Sequence, residues 1–205
     1  MHIEALLSTL KTVKLHGMFS TINELSLQNS PAYQQALPIL ETLLKAEVSD
    51  REVRFIAYQM KVAKFPAYRD LYGFHFTESD VDEYLIKGLH RCEFIEDNQN
   101  IVFIGGQGTG KTHLATALSV QAIQHHYLRV RFLSTIELVN ALELEKQNGH
   151  VGRFANRLMN VDIVILDELG YVSFSQSGGT LLFHLLSKLY ETTSVIITTN
   201  LSFSE

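Results

Sequence analysis

The chain carries, at residues 101–112, the sequence Ile-Val-Phe-Ile-Gly-Gly-Gln-Gly-Thr-Gly-Lys-Thr. An apolar strand pattern leads into the motif G-x-x-x-x-G-K-[ST], and a helical pattern follows it. Glycines allow the backbone to curl so that successive N–H groups point at phosphate oxygens. The N-terminus of the following helix adds the positive end of its dipole. The pattern therefore predicts a phosphate-binding loop between a strand and a helix.

Two side chains of this loop have roles that follow from their chemistry. The Lys111 ammonium can reach the β- and γ-phosphates of a nucleoside triphosphate, and the Thr112 hydroxyl can ligate Mg²⁺. We therefore predict ATP and Mg²⁺ as cofactors. The residues predicted to bind the nucleotide in and beside the loop are Gly105, Gly106, Gln107, Gly108, Thr109, Gly110, Lys111, Thr112 and His113.

Strand and helix patterns alternate on both sides of the loop. The predicted strands are residues 100–104, 129–133, 162–166 and 194–199, and the predicted helices are residues 80–89, 113–126, 136–146 and 179–190. Alternation of this kind is typical of a mainly parallel sheet covered by helices. Together with the phosphate loop, it predicts an α/β fold of the P-loop NTPase class.

Acidic and amide side chains follow two of the predicted strands. Residues 161–168 read Val-Asp-Ile-Val-Ile-Leu-Asp-Glu, a buried strand pattern that ends in two acids. In this fold class the carboxyl end of such a strand lies beside the phosphate loop. Asp167 is then the carboxylate on the Mg²⁺ side of the nucleotide site, and Glu168 orients and polarises the attacking water. Asn200, directly after residues 194–199, can reach the γ-phosphate and the same water. We predict Lys111, Glu168 and Asn200 as catalytic residues and Thr112 and Asp167 as metal ligands.

The first third of the chain has a different character and reads as helical. One helix is predicted near residues 3–13, and others are predicted to open at Pro38 and at Ser49, where Ser49-x-x-Glu52 has the form of a capping box. We predict a helical domain at residues 1–76, followed by the nucleotide-binding domain at residues 77–205.

Basic and aromatic side chains recur near the end of this helical region. They are Arg51, Arg54, Tyr58, Lys61, Lys64 and Arg69. A helical face that mixes bases with aromatics can pair with DNA phosphates. A solvated helix face has a similar composition, and the net charge of −5 argues against a uniformly basic nucleic-acid binder. We predict that these residues contact DNA.

The composition excludes several classes of protein. A chain of 205 residues that is 46% hydrophobic and 19% charged is too apolar to be disordered. A single cysteine, Cys92, excludes an internal disulfide framework. No apolar run approaches the roughly 20 residues that span a bilayer, and the first ten residues lack the pattern of a signal peptide. We predict a soluble cytoplasmic protein with no membrane partner.

Three segments resemble one family. The phosphate loop with its flanks at residues 103–115, Leu-Asp-Glu-Leu-Gly-Tyr at residues 166–171 and Ile-Ile-Thr-Thr-Asn at residues 196–200 are similar to the IstB family. Residues 15–18 and 64–66 are similar as well. IstB proteins are AAA+ ATPases that serve as transposition helpers of insertion sequences, and they are related to the DnaC and DnaI helicase loaders.

The resemblance implies an ATPase that oligomerises on duplex DNA and recruits and stimulates a transposase at the target. It implies the strand order 5-1-4-3-2, preceded by a helical domain that grips DNA. It assigns roles in the ATPase site to Lys111, Thr112, Asp167, Glu168 and Asn200. The family's fifth strand and arginine finger lie beyond the position of Asn200, so we expect the C-terminal part of the core to be absent from these 205 residues.

Two other functions agree with the same residues. One is a DnaC-like loader of a replicative helicase, which would prefer single-stranded DNA. The other is a nucleotide-switched DNA-binding module in which this chain does not turn over ATP.

Overall fold

The computed structural model describes residues 3–28, 31–170 and 174–201. The chain divides into two compact units, Met1–Phe55 and Ile56–Glu205. This boundary lies closer to the N-terminus than the one expected after residue 76. Ile56, Met60 and Phe65 pack against the buried core of the second unit, which explains why the segment that follows Phe55 belongs there.

The first unit is helical. Helix α1 covers Ile3–Thr12, helix α2 covers His16–Gln28, and helix α3 begins at Pro31 and continues through the unit boundary to Ala63. The apolar side chains that the three helices bury in a common core are Leu6, Leu10, Ile22, Tyr33 and Leu44. The structure thus confirms the helical N-terminal region.

Helix α3 is longer than the sequence indicated. The predicted helix starts at Pro38 and Ser49 are wrong, because both residues lie inside α3. Proline lacks an N–H group and usually interrupts a helix. Here no glycine or further proline occurs between Pro38 and Ala63, so the sequence contains no strong helix breaker before the helix ends at Ala63, three residues before Pro66.

The second unit contains a four-stranded sheet. Its elements are two 3₁₀ turns at Phe76–Glu78 and Glu93–Ile95, helices α4 (Glu83–Leu89), α5 (Lys111–His126), α6 (Thr135–Gln147), α7 (Arg153–Leu158) and α8 (Gln176–Leu189), and strands β1 (Ile101–Ile104), β2 (Val130–Ser134), β3 (Ile163–Leu169) and β4 (Ser194–Thr199). The strands are all parallel in the order β1-β4-β3-β2. This confirms the predicted α/β class and, for these strands, the predicted order. Of these five helices, the short α7 was not predicted.

Helices cover both faces of this sheet. Side chains alternate along β3, so that Ile163 and Ile165 join the core beneath α5 while Val164 and Leu166 join the core beneath α6, α7 and α8. All four are fully buried. A strand buried on both faces reads as a continuous apolar run, which is the pattern that identified it in the sequence. Asp167 and Glu168 interrupt that run at its carboxyl end.

Within residues 3–28, 31–170 and 174–201, no helix combines the length and the apolar character needed to cross a membrane. The cytoplasmic location stays a prediction.

Candidate nucleotide site

The phosphate loop connects β1 to α5. The N–H of Gly105 donates to the carbonyl of Thr199 at 3.2 Å, which ties the start of the loop to the end of β4. Gly108 and Gly110 have φ angles of 74° and 85°, in the left-handed region that glycine adopts without strain. Gly110 also packs against the ring of Phe74, where a Cβ atom would meet Cε2 at 2.5 Å. The backbone turn and this close approach explain why glycine occupies the position before Lys111.

Lys111 lies at the mouth of the loop with only 9% of its surface exposed. Its ammonium donates to the carbonyl oxygens of Gly105 and Gly106 at 2.7 and 2.6 Å. A buried ammonium needs such partners because removing it from water is costly. The loop therefore holds a positive charge at the point where the motif predicts phosphate.

Asp167 is the centre of a hydrogen-bonded cluster. Its Oδ1 accepts from the hydroxyl of Thr112 at 2.8 Å and from the hydroxyl of Thr198 at 2.6 Å. The hydroxyl of Thr135 donates to its backbone carbonyl at 2.7 Å. Asp167 is buried, with 8% of its surface exposed. The structure thus joins the two residues predicted as metal ligands, Thr112 and Asp167, by one hydrogen bond.

Glu168 lies on a β-bulge. Leu166 pairs with Ile197 and Leu169 pairs with Thr199, so β3 has one residue more than β4 between these pairs. Glu168 has a φ of 61°, which is uncommon for a residue with a side chain. Bulges next to active sites re-aim a side chain, and backbone strain persists where the surroundings over-determine it. Glu168 is an exposed residue near the carboxyl end of β3.

A cleft of about 340 Å³ lies between the loop and the ends of the strands. Its walls are Gln107, Gly108, Gly110, Lys111, Thr112, His113, Glu168 and Thr198. The cleft has the size of a small-ligand site. Hydroxyl and carboxylate oxygens are the ligands that Mg²⁺ prefers, and Thr112 and Asp167 supply one of each. The donor set therefore fits a nucleoside triphosphate with Mg²⁺.

Two predicted site residues have surroundings that the sequence did not indicate. The ring Nε2 of His113 lies 2.8 Å from the backbone oxygen of Asp70, and its ring packs edge-on against Phe74. His113 therefore contacts the segment that precedes the sheet as well as the cleft. Asn200 follows β4 and is exposed, and its predicted role stays a prediction.

Sequence reasoning missed Thr198, Thr135 and Phe74. Thr198 and Thr135 are buried and bond to Asp167, as described above. The signal for Thr198 was a hydroxyl residue directly after the apolar run of residues 195–197, two positions before Asn200. Phe74 gave no local signal, because only the fold brings it to Gly110.

Some of the residues predicted to bind DNA have local partners. Arg51 donates through Nε to Glu47 and through Nη1 to the carbonyl of Val13 at 2.6 Å, which ties α3 to the segment after α1. Arg54 forms an ion pair with Asp50 at 2.7 Å on the same helix. Arg51 thus has a structural role within the first unit.

The remaining basic residues of the predicted DNA-binding set are exposed. Lys61 lies on α3, and Lys64 and Arg69 lie after the helix ends at Ala63. Tyr58 is 59% exposed. Their contact with DNA stays a prediction.

Residues 8–205 match the family described as IstB-like ATP binding protein. A protein of insertion sequence IS5376 from Geobacillus stearothermophilus, named as an ATP-binding protein, is 34% identical over 80% of this chain and 65% of the relative. A protein of the same description from IS21 of Pseudomonas aeruginosa is 32% identical over 99% of this chain and 76% of the relative. The chain thus spans slightly less than two thirds of the first relative.

The structure of the DnaC helicase loader superposes with a TM-score of 0.56 at 26% identity, covering 65% of this chain and 77% of that chain. This agrees with the parallel sheet and the phosphate loop described above, and the family match confirms the resemblance seen in the motifs. The chain belongs to the IstB-like family of ATP-binding proteins, with an AAA+ helicase loader among its structural neighbours.

Proposed function

We propose that this chain is an ATPase of insertion-sequence transposition that binds ATP and Mg²⁺, oligomerises on duplex DNA and recruits and stimulates a transposase at the target. The observation that carries the ATPase part is the bond between Thr112 and Asp167 beside the buried ammonium of Lys111. Family membership and the relatives named for insertion sequences support the transposition part.

Each residue of the nucleotide site has a role in ATP hydrolysis that agrees with its position. Lys111 and the backbone N–H groups of the loop bind and orient the phosphates. Thr112 and Asp167 hold the metal, which when bound neutralises charge on the β- and γ-phosphates. Glu168, at the rim of the cleft, orients a water molecule and accepts its proton. Asn200 donates to the γ-phosphate or to the same water.

The ATPase part is tested with two substitutions. Lys111→Ala removes the phosphate-binding charge and is expected to abolish ATP binding. Glu168→Gln keeps the shape of the side chain but not its basicity, so ATP should still bind while turnover stops. Binding of a fluorescent ATP analogue and release of phosphate separate the two effects. Normal hydrolysis by either variant would refute the site assignment.

The DNA part is tested by fluorescence anisotropy with duplex and single-stranded DNA of equal length, with ATP and Mg²⁺, with ADP, and without nucleotide. Tight, ATP-dependent and salt-sensitive binding to duplex is expected. Reversing Lys61, Lys64 and Arg69 to glutamate should weaken binding and reduce the salt slope by about one for each DNA phosphate that the protein no longer neutralises. Arg51 is avoided because its bond to Val13 stabilises the first unit.

The matched control for these reversals is Lys87→Glu. Lys87 lies on α4, is exposed and pairs with Glu83. Its reversal changes the net charge as much as any single reversal in the set. Equal weakening by Lys87→Glu and by each of the single reversals Lys61→Glu, Lys64→Glu and Arg69→Glu would refute a contact specific to the basic residues near the end of α3.

A second function, a DnaC-like helicase loader, is favoured by one observation, the superposition on DnaC. It predicts a preference for single-stranded DNA in the same titration. A third, a nucleotide-switched module without turnover, predicts nucleotide-dependent DNA binding with no release of phosphate by the unmodified chain.

A further inference from the structure

We propose that Thr198 is a positioning residue of the nucleotide site, whose hydroxyl fixes both the predicted metal ligand Asp167 and the predicted base Glu168. The inference rests on the proposed function, because it concerns the same site. Neither the phosphate-loop motif nor the pair of acids includes this residue. It lies on β4, and the two acids lie on β3.

The hydroxyl of Thr198 makes two hydrogen bonds of opposite direction. It donates to Oδ1 of Asp167 at 2.6 Å and accepts from the backbone N–H of Glu168 at 3.0 Å. A hydroxyl has a single proton to donate, and it is committed to Asp167. Thr198 is 1% exposed, so neither bond is readily replaced by water. Valine has nearly the same shape but could make neither bond.

The direction of the first bond determines which oxygen of Asp167 remains for a ligand. Thr112 and Thr198 both donate to Oδ1. Two donors on one oxygen fix the rotation of the carboxylate. They leave Oδ2 as the oxygen through which Asp167 would act on the metal or on its water. Removing the Thr198 bond frees the carboxylate to rotate about the remaining bond to Thr112.

The second bond acts on the bulge. Glu168 has a φ of 61°. The extra residue of β3 falls between the pair Leu166–Ile197 and the pair Leu169–Thr199, which lie on either side of Glu168. A bulged residue loses its regular ladder partner. The Thr198 hydroxyl replaces that partner for the N–H of Glu168. It thereby holds the backbone from which the carboxylate of Glu168 extends to the cleft.

The test measures how far Mg²⁺ strengthens binding of a fluorescent ATP analogue, by titrating the full chain in MgCl₂ and in EDTA. Loss of a hydrogen bond to a charged acceptor corresponds to about tenfold or more in affinity. We expect Thr198→Val to reduce the Mg²⁺ enhancement by about this factor while the affinity in EDTA stays unchanged. Thr198→Ser, which keeps the hydroxyl, should restore the enhancement.

Thr193→Val is the matched control. Thr193 is also fully buried and its hydroxyl is also a hydrogen-bond donor, but it donates to the backbone carbonyl of Val161 and not to a carboxylate, and it precedes β4 at the opposite end of the sheet. Should Thr198→Val fail to fold, as judged by circular dichroism, Thr198→Ser and Thr198→Ala carry the comparison. Both lack the methyl group, and only serine keeps the hydroxyl.

The outcomes separate this inference from the proposed function. If the unmodified chain binds the analogue without any Mg²⁺ enhancement, the proposed metal site itself is refuted, and the role of Thr198 with it. If the enhancement is present and Thr198→Val or Thr198→Ala keeps it, only the role of Thr198 is refuted. Equal losses in the Thr198 and Thr193 variants would show a general effect of removing a buried hydroxyl and would also overturn the inference.

Discussion

The packing of Gly110 against Phe74 allows a quantitative prediction. At Gly110 the φ of 85° costs an L residue about 1–2 kcal/mol. The added Cβ of an alanine would lie 2.5 Å from Cε2 and 3.3 Å from Cζ of the Phe74 ring. Overpacking of this kind costs about 1–3 kcal/mol. Gly110→Ala is therefore expected to lower the free energy of unfolding by about 2–5 kcal/mol.

The two causes can be separated by removing the ring. Phe74 is half-buried and packs edge-on against Phe76 and His113, with ring centroids 4.9 and 5.3 Å apart. Phe74→Ala should cost about 1–3 kcal/mol, less than for a fully buried ring. In the double variant the clash is gone while the cost of the positive φ remains. The double variant should therefore be more stable than the sum of the single effects indicates, by about 1–3 kcal/mol.

The assay is urea unfolding of the unmodified chain, both single variants and the double variant, followed by circular dichroism. Equal urea dependence of the free energy across the set would show that the variants unfold in the same way. Gly179→Ala is the control, because this glycine lies inside α8 with open space at its Cβ position. It should stabilise the protein by about 0.5–1 kcal/mol. Strict additivity of the Gly110 and Phe74 effects would refute the packing argument.

Three further predictions concern other parts of the second unit. Gly170→Ala should destabilise the second unit by about 1–3 kcal/mol in the same assay. Gly170 has a φ of 86°, and a Cβ atom at this position would clash with Cδ1 of Leu201. Unchanged stability would contradict this prediction. Burial raises the pKa of the Cys92 thiol to about 11, so a thiol reagent at about pH 8 should modify the native chain slowly and the unfolded chain fast; equal rates would contradict it. Burial, and then the charges of two nearby histidines, lower the pKa of His90 below its ordinary 6.5. A lowered pKa means that the folded chain favours the neutral ring of His90. The folded chain therefore keeps its full stability above the ordinary pKa and loses stability as the pH falls through the lowered pKa. His90→Gln should reduce this loss between about pH 7 and pH 5.

The sequence predicted those parts of the fold that depend on local pattern. The phosphate loop has its own motif, and β3 reads as a continuous apolar run because helices bury both of its faces. The helix starts at Pro38 and Ser49 were wrong because capping and proline signals also occur inside helices. Whether a helix ends at such a signal depends on whether the residues after it continue to pack against the rest of the unit. That packing is not a property of the local sequence.

The parts of the site that could not be predicted depend on register. The sequence indicates that Thr198 is on a strand, but its position opposite Asp167 and Glu168 depends on the one-residue shift between β3 and β4. A shift of one residue in a strand turns every side chain to the other face. Likewise, Phe74 lies 36 positions before Gly110 in the chain, and only the packing of the segment before the sheet brings its ring to the loop.

The hydrogen bonds of the site join three segments that are far apart in the sequence. Thr112 links the phosphate loop to Asp167 on β3, and Thr198 on β4 links the same carboxylate to the backbone of Glu168. The bond from Gly105 to the carbonyl of Thr199 returns from β4 to the start of the loop. Loop, β3 and β4 thus form a closed network of hydrogen bonds, and a displacement of any one of them strains the other two. Residues that share one network are non-additive in their effects. Substitutions at Thr112 and Thr198 should therefore weaken Mg²⁺-dependent nucleotide binding by less in combination than the product of their separate effects, whereas two independent metal contacts would give the full product.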